Sequence, residues 1–242
     1  MGSKSVEKYF PIQVTDNFFD NPKEVVKFAN SLNFQNAQNG FWPGVRTESL
    51  HQNNYAFFNS FLIKLFSLIF DFKQTKVNWD NVEMYFQKTY PFDSKNKNNI
   101  LNTGLIHQDG DYPLVGLVYL TENADLESGT SIMIPTKKVK DHSKIKTSLY
   151  KKPRSKWTEE DLNKYEKLII DSNKNFEEHL KINNKFNRLI MYNGNDFHKC
   201  NSFFTGKKER LTLVFFIRQI QSSSFFPLQR AKIKTIKYKN DN

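Results

Sequence analysis

Apolar residues recur along this chain in two rhythms. Behind Asn21-Pro22, residues Val25, Val26, Ala29 and Leu32 fall at helical spacing. Asp20 or Asn21 can cap that helix, and proline suits its first turn. Residues 55–70, YAFFNSFLIKLFSLIF, are apolar nearly all round and read as a buried helix. Strand-like runs then take over: VEMYFQK at 82–88, LVGLVYL at 114–120, SIMIP after Gly129, FNRLIMYN at 186–193 and RLTLVFFIRQ at 210–219. The run at 114–120 is continuous rather than alternating, as in a strand buried on both faces. Thr158 with Asp161 makes a capping box for a helix expected from about 159 to 181. A helical N-terminal third is thus followed by strands, with an insertion of basic loop plus helix at 136–182 and a basic tail at 228–242. The expected class is mainly β with α.

Composition narrows this picture. The 242 residues fit one large domain or two small ones, and we take them as a single domain. Apolar residues make up 38%, but aromatics reach 15%, and large rings bury much area each, so a sizeable core is available. A single cysteine, Cys200, rules out an intramolecular disulfide and a four-cysteine zinc site. The N-terminus has no apolar signal core, and the longest apolar run is interrupted by Asn59, Ser60, Lys64 and Asp71. A soluble, cytoplasmic protein with no membrane partner is the expectation. The net charge of +11 and pI near 9.5 fit nucleic acid, a membrane surface or an acidic substrate. They fit equally the Lys, Asn, Ile and Phe usage of an AT-rich genome.

The candidate chemistry begins at His107-Gln108-Asp109, just ahead of the run at 114–120. On a strand, residues i and i+2 share a face, so His107 and Asp109 can project together. Such a pair is either two thirds of a metal site or a strand end whose polar residues meet water. The remaining histidines are His51, His142, His179 and His198. His179 falls on the expected helix, whereas His198 sits at the mouth of a strand pair. Two histidines and a carboxylate on one face, with open positions, make the facial site of non-haem Fe(II) oxygenases. Twelve residues on, Arg210 opens the strand RLTLVFFI, with Thr212 on the same face. An arginine turned into such apolar surroundings needs an anionic partner, and a dicarboxylate would provide one. The alternative is an arginine facing solvent at the strand start.

The order H-x-D, strand, Gly-Thr turn, strand, distal His and R-x-T resembles the Fe(II)- and 2-oxoglutarate-dependent oxygenases. HQDGDYPLVGLVYLTENADLESGTSIMIP and NRLIMYNGNDFHKCNSFFTGKKERLTLVFFI are similar to the two halves of prolyl-hydroxylase-like members. The likeness extends over roughly residues 10–220, and is nearest to an uncharacterised bacterial and phage branch. That branch also has an early PGxRT element, here Pro43 to Thr47. The resemblance implies a double-stranded β-helix, or jelly roll, with N-terminal helices packed on one sheet. It implies Fe(II) held by His107, Asp109 and His198. It also implies 2-oxoglutarate held through its distal carboxylate by Arg210 and Thr212, with ascorbate as a candidate accessory. Tyr119 either reaches that carboxylate or is a core aromatic. The implied reaction is hydroxylation coupled to oxidative decarboxylation of 2-oxoglutarate to succinate and CO2. The Asp109 carboxylate speaks against halogenation, because halogenating relatives replace that acid with a small residue.

The chain departs from the prolyl hydroxylases by having arginine where they often have lysine at 210, and by the insertion before the distal strand. The substrate is expected to be a peptide or small molecule. In the loop FWPGVRT, Arg46 and Trp42 either meet it or form a packed turn with a solvated arginine. Nucleic-acid demethylation is less favoured, because position 216, six after Arg210, is Phe and the next arginine is Arg218. A reading of another kind is a non-catalytic jelly roll whose basic segments at 137–156 and 230–239 grip an anionic partner such as nucleic acid. Cys200 reads as a strand-end thiol.

Overall fold

A computed structural model of the chain describes residues 11–36, 44–110, 112–136, 154–206 and 209–223. Trp42, Pro43, His142, the basic stretch 137–153 and the basic tail 228–242 lie outside these residues.

Among the described residues, ten strands form two antiparallel sheets. They are β1 (Gln13–Thr15), β2 (Phe34–Asn36), β3 (Val45–Thr47), β4 (Val77–Thr89), β5 (Leu114–Tyr119), β6 (Thr130–Pro135), β7 (Phe176–Ile182), β8 (Leu189–Tyr192), β9 (Phe197–Cys200) and β10 (Arg210–Ser222). The large sheet has the order β1-β8-β5-β10-β4-β3-β2, and the small one β7-β6-β9. His107 extends the small sheet by an isolated bridge to His198 in β9. The chain therefore runs from β4 across to His107, back to β5, across to β6 and β7, back to β8, across to β9 and home to β10. Strands that alternate between two antiparallel sheets in this way make a jelly roll.

Strand parity divides the large sheet into two faces. In β10 the residues Leu211, Leu213, Phe215 and Ile217 face the helices, whereas Arg210, Thr212, Val214 and Phe216 face the interior between the sheets. Both faces are covered, which is why this strand reads as a nearly continuous apolar run. Helices α1 (Pro22–Ser31) and α3 (Tyr55–Ser67) close the outer face, with α2 (Leu50–Asn53) between them. Phe58, Phe61, Leu62, Leu65 and Phe66 of α3 are buried there, and Phe61 meets Phe215 at 5.4 Å between ring centroids. Burying each such side chain contributes about 1.5–3 kcal/mol. α3 is less enclosed than its composition predicts, because Tyr55 and Ile63 are exposed. Between the sheets, Val115, Tyr119, Ile190 and Tyr192 of the large sheet pack on Ile132 and Ile182 of the small one.

α4 (Glu159–Asn173) opens with the expected capping box. It docks through Tyr165 and Ile169 on Leu105, and the Tyr165 hydroxyl donates to the Thr103 carbonyl at 3.1 Å. The helix stops at Asn173 rather than continuing to 181. Residues 176–182 are instead β7, paired with β6 from Thr130↔Ile182 to Pro135↔Phe176. β7 buries its two ends, Phe176 and Ile182, and exposes EEHLK between them. An edge strand with so polar a middle has the composition of a helix surface, and its pairing with β6 overrides local propensity. The stretch expected as an insertion at 136–182 thus includes, at its C-terminal end, a strand of the small sheet, and His179 lies on that strand. Among the described residues, no helix is long and apolar enough to cross a membrane.

Candidate metal centre

His107 and His198 lie directly opposite each other on neighbouring strands. Each donates its backbone N–H to the other's carbonyl at 2.9 Å. Their rings therefore emerge side by side, with centroids 4.2 Å apart. After His107 the chain leaves the strand. Asp109 N–H donates to the Gly194 carbonyl at 2.8 Å, and Gly110 turns the backbone with φ +86°. The shared face expected from strand geometry is thus delivered by a pinned loop. The Asp109 carboxylate lies 3.6 Å from His107 Nε2 and 3.2 Å from His198 Nε2. One ligand atom from each of the three residues lies within 4.8 Å of the others.

Hydrogen bonding selects which imidazole nitrogen is offered. His107 Nδ1 lies 2.8 Å from the Leu105 carbonyl, and His198 Nδ1 lies 2.9 Å from the Asp196 carbonyl. A carbonyl only accepts, so in the neutral ring Nδ1 carries the proton and Nε2 presents its lone pair. Both lone pairs then converge beside a carboxylate, and carbonyl tethering of the distal nitrogen is a recurrent feature of metal-ligating histidines. The donor set of two imidazoles and one carboxylate fits a first-row divalent metal such as Fe(II). His179 and His51 are exposed on β7 and α2 and do not join this group.

The trio opens on a cavity of about 150 Å³ whose other wall is the interior face of β4 and β10. Arg210 lines it and is 4% exposed, so it does not face solvent. Its Nε donates to the Ser128 carbonyl at 3.2 Å, and its guanidinium lies over the Tyr119 ring at 5.3 Å. Arg210 Nη2 and Thr212 Oγ1 are buried without a protein hydrogen-bond partner. An uncompensated buried guanidinium costs several kcal/mol, so the wall fits an anionic ligand. Tyr119 stands register-opposite Thr212, but its hydroxyl is donated to Thr130 Oγ1 at 2.8 Å and it is fully buried. Burial pushes this phenol up to about 12, against the pull of Arg210. Tyr119 thus supports the arginine from beneath. Cys200 also lines the cavity, with its thiol pushed up by burial.

The early PGxRT element has a physical basis. Gly44, at φ +83°, lies so close to β4 that a Cβ would stand 2.0 Å from the Lys88 carbonyl oxygen. β3 then pairs Val45 with Lys88 and Arg46 with Gln87. Arg46 reaches the cavity wall, where its Nε donates to Gln87 Oε1 at 2.7 Å and its guanidinium lies 5.4 Å from the Tyr85 ring and 5.5 Å from that of Phe216. Burial lowers its pKa, against the attraction of Tyr85, Asp109 and Glu83. Arg218 is exposed, with its guanidinium over the Tyr112 ring at 4.7 Å.

Gln87 and Thr89 line the cavity as well and were missed in the sequence. Their signal is the alternation in VEMYFQKT, where buried Met84 and Phe86 face the helices and residues 85, 87 and 89 take the other face.

A profile of the family described as "Family of unknown function (DUF6445)" matches residues 3–202. No curated protein sequence matches the chain. Among solved structures the chain is similar to a prolyl hydroxylase in complex with a hypoxia inducible factor oxygen degradation domain peptide fragment from Trichoplax adhaerens. That match has 11% identity over 85% of this chain and 82% of that one, with a TM-score of 0.48. HygX from Streptomyces hygroscopicus, with nickel and 2-oxoglutarate bound, matches at 10% identity over 85% and 82%, with a TM-score of 0.49. A Pseudomonas putida prolyl-4-hydroxylase matches at 12% identity over 86% and 92%, with a TM-score of 0.43.

Proposed function

The chain belongs to the family of unknown function (DUF6445), and we propose that it is an Fe(II)- and 2-oxoglutarate-dependent oxygenase of the hydroxylase type. One observation carries this reading. The convergent Nε2 atoms of His107 and His198 and the Asp109 carboxylate share one small cavity with a buried guanidinium that lacks an anionic partner at Nη2. His107, Asp109 and His198 would hold the metal. Arg210 and Thr212 would hold the distal carboxylate of 2-oxoglutarate through charge-assisted hydrogen bonds. Iron bound there supplies the redox chemistry that couples decarboxylation of 2-oxoglutarate to oxidation of a substrate C–H bond. The balance is substrate C–H plus 2-oxoglutarate plus O2 giving substrate C–OH, succinate and CO2.

The protein's own groups set the conditions for that chemistry. The Leu105 and Asp196 carbonyls keep both imidazoles in the ligating tautomer. Arg210 is 4% exposed, so a carboxylate held there would be shielded from water and its hydrogen bonds strengthened. A cavity of about 150 Å³ is of the size that admits a benzene-sized molecule. The cosubstrate would fill most of it, leaving a peptide or small-molecule substrate to present only its reacting group, past Arg46 and Phe216. Arg46 would meet an anionic part of that substrate.

The test is anaerobic reconstitution with Fe(II), then addition of O2 and 2-oxoglutarate, with succinate measured. Slow succinate formation without substrate, abolished in Asp109→Ala and His198→Ala together with stoichiometric metal binding, is expected. Metal content unchanged in both variants would refute the ligand assignment.

A further inference from the structure

Resting on the reading above, we infer that Thr89 is a third hydroxyl or guanidinium donor to the 2-oxoglutarate carboxylate, contributed from the strand opposite Arg210 and Thr212. The residue lies at the last position of β4, directly across the ladder from Arg210. Cβ atoms of directly opposed residues are about 4.5–5.5 Å apart, so the two side chains rise from neighbouring points of one wall. Thr89, Arg210 and Thr212 all line the cavity. Thr89 is 1% exposed, and its Oγ1 has no protein hydrogen-bond partner.

Buried polar groups are almost always satisfied, and here two orphaned hydroxyls, Thr89 Oγ1 and Thr212 Oγ1, and one orphaned guanidinium nitrogen, Arg210 Nη2, belong to residues lining one cavity. A threonine hydroxyl can instead turn to a nearby backbone group. That of Thr89 does not. A carboxylate is the ligand that would satisfy all three at once. It accepts through about four lone-pair sites, enough for one guanidinium and two hydroxyls. The strand's position is also secured. Gly44 lies against the Lys88 carbonyl and the Thr89 Cα, and this contact fixes the end of β4 against β3. Two strands rather than one therefore define the carboxylate end of the cavity, which sets how far from the metal ligands a dicarboxylate's far end can sit.

The experiment uses the full chain loaded with Mn(II) under nitrogen, with 2-oxoglutarate titrated calorimetrically. Thr89→Val is nearly isosteric and removes the hydroxyl, whereas Thr89→Ser retains it. The valine variant should bind 2-oxoglutarate about tenfold to a hundredfold more weakly, the cost of one hydrogen bond to a charged group. Its Mn(II) affinity should be unchanged, and its melting temperature without ligand should be equal or higher, because a buried orphan hydroxyl has been removed. The serine variant should stay within a few-fold of the parent. Equal 2-oxoglutarate affinity in the parent and Thr89→Val overturns this assignment and leaves the oxygenase reading intact. Equal weakening in the serine variant overturns it too, by pointing to shape rather than the hydroxyl. A parent protein that binds Mn(II) but no 2-oxoglutarate overturns both the assignment and the oxygenase reading.

Discussion

Arg210→Met separates a charge kept for a ligand from a charge kept for the fold. Methionine preserves an unbranched stem of similar reach and removes the guanidinium. In the folded protein the loss includes one bond, Nε to the Ser128 carbonyl, and the contact with the Tyr119 ring. Those are worth about 1.5–3 and about 0.5–2 kcal/mol. The gain is release from burying a guanidinium at 4% exposure with Nη2 unsatisfied, a penalty of several kcal/mol. The terms nearly cancel, and the ligand-free variant should be as stable as the parent or about 1 kcal/mol more stable. A change of that size moves the melting temperature by about 2–4 °C in a chain this long. Binding should respond quite differently. Two charge-assisted hydrogen bonds to a carboxylate disappear, about 3 kcal/mol or more, so the Kd for 2-oxoglutarate should rise by more than about a hundredfold. Urea denaturation without ligand and calorimetry with Mn(II) give the two numbers. A variant destabilised by several kcal/mol whose 2-oxoglutarate affinity stays within twofold would refute the reasoning and make Arg210 a structural residue.

Asp16 accepts hydrogen bonds from Arg188 at 2.6 and 3.1 Å and from Lys185 at 2.8 Å, which hold its carboxyl well below the usual range. A lowered folded pKa gives stability that is present above the unfolded pKa of about 3.9 and is lost as pH falls through the folded value. Asp16→Asn should therefore cost about 1 kcal/mol at pH 7, discounted because the carboxyl is 34% exposed, and progressively less below about pH 4 in denaturation series. Gly44→Ala combines a positive φ with a backbone overlap at 2.0 Å and should cost well over 1 kcal/mol by thermal unfolding. It should also weaken 2-oxoglutarate binding as β3 and the end of β4 shift. Tyr165→Phe removes the donor to the Thr103 carbonyl and should lower stability by about 1 kcal/mol, with 2-oxoglutarate affinity retained.

Much of the candidate site was legible in residue types and spacing. His107, Asp109 and His198 were singled out, and the structure brings them together at a cavity that also receives Arg210, Thr212 and Arg46. Tyr119 could not be resolved between pocket and core, because an aromatic on a two-sided buried strand looks the same in either place. Its hydroxyl bond to Thr130 is a contact between the two sheets.

The sequence by itself determined the local elements whose signals are short-range. The Thr158 capping box, the apolar stripe of α1 and the strands rich in β-branched and aromatic residues follow from helix-end chemistry and side-chain period. Tertiary structure decided what depends on partners far along the chain. β7 exists because β6 offers a ladder to FEEHLKI. Thr89 becomes a cavity residue because β10 pairs with β4 in the register that sets it across from Arg210. Propensity and period act over a few residues, whereas register is chosen by burial of whole faces, so the two histidines 91 positions apart become neighbours only where the segment at His107 pairs with β9 in the small sheet.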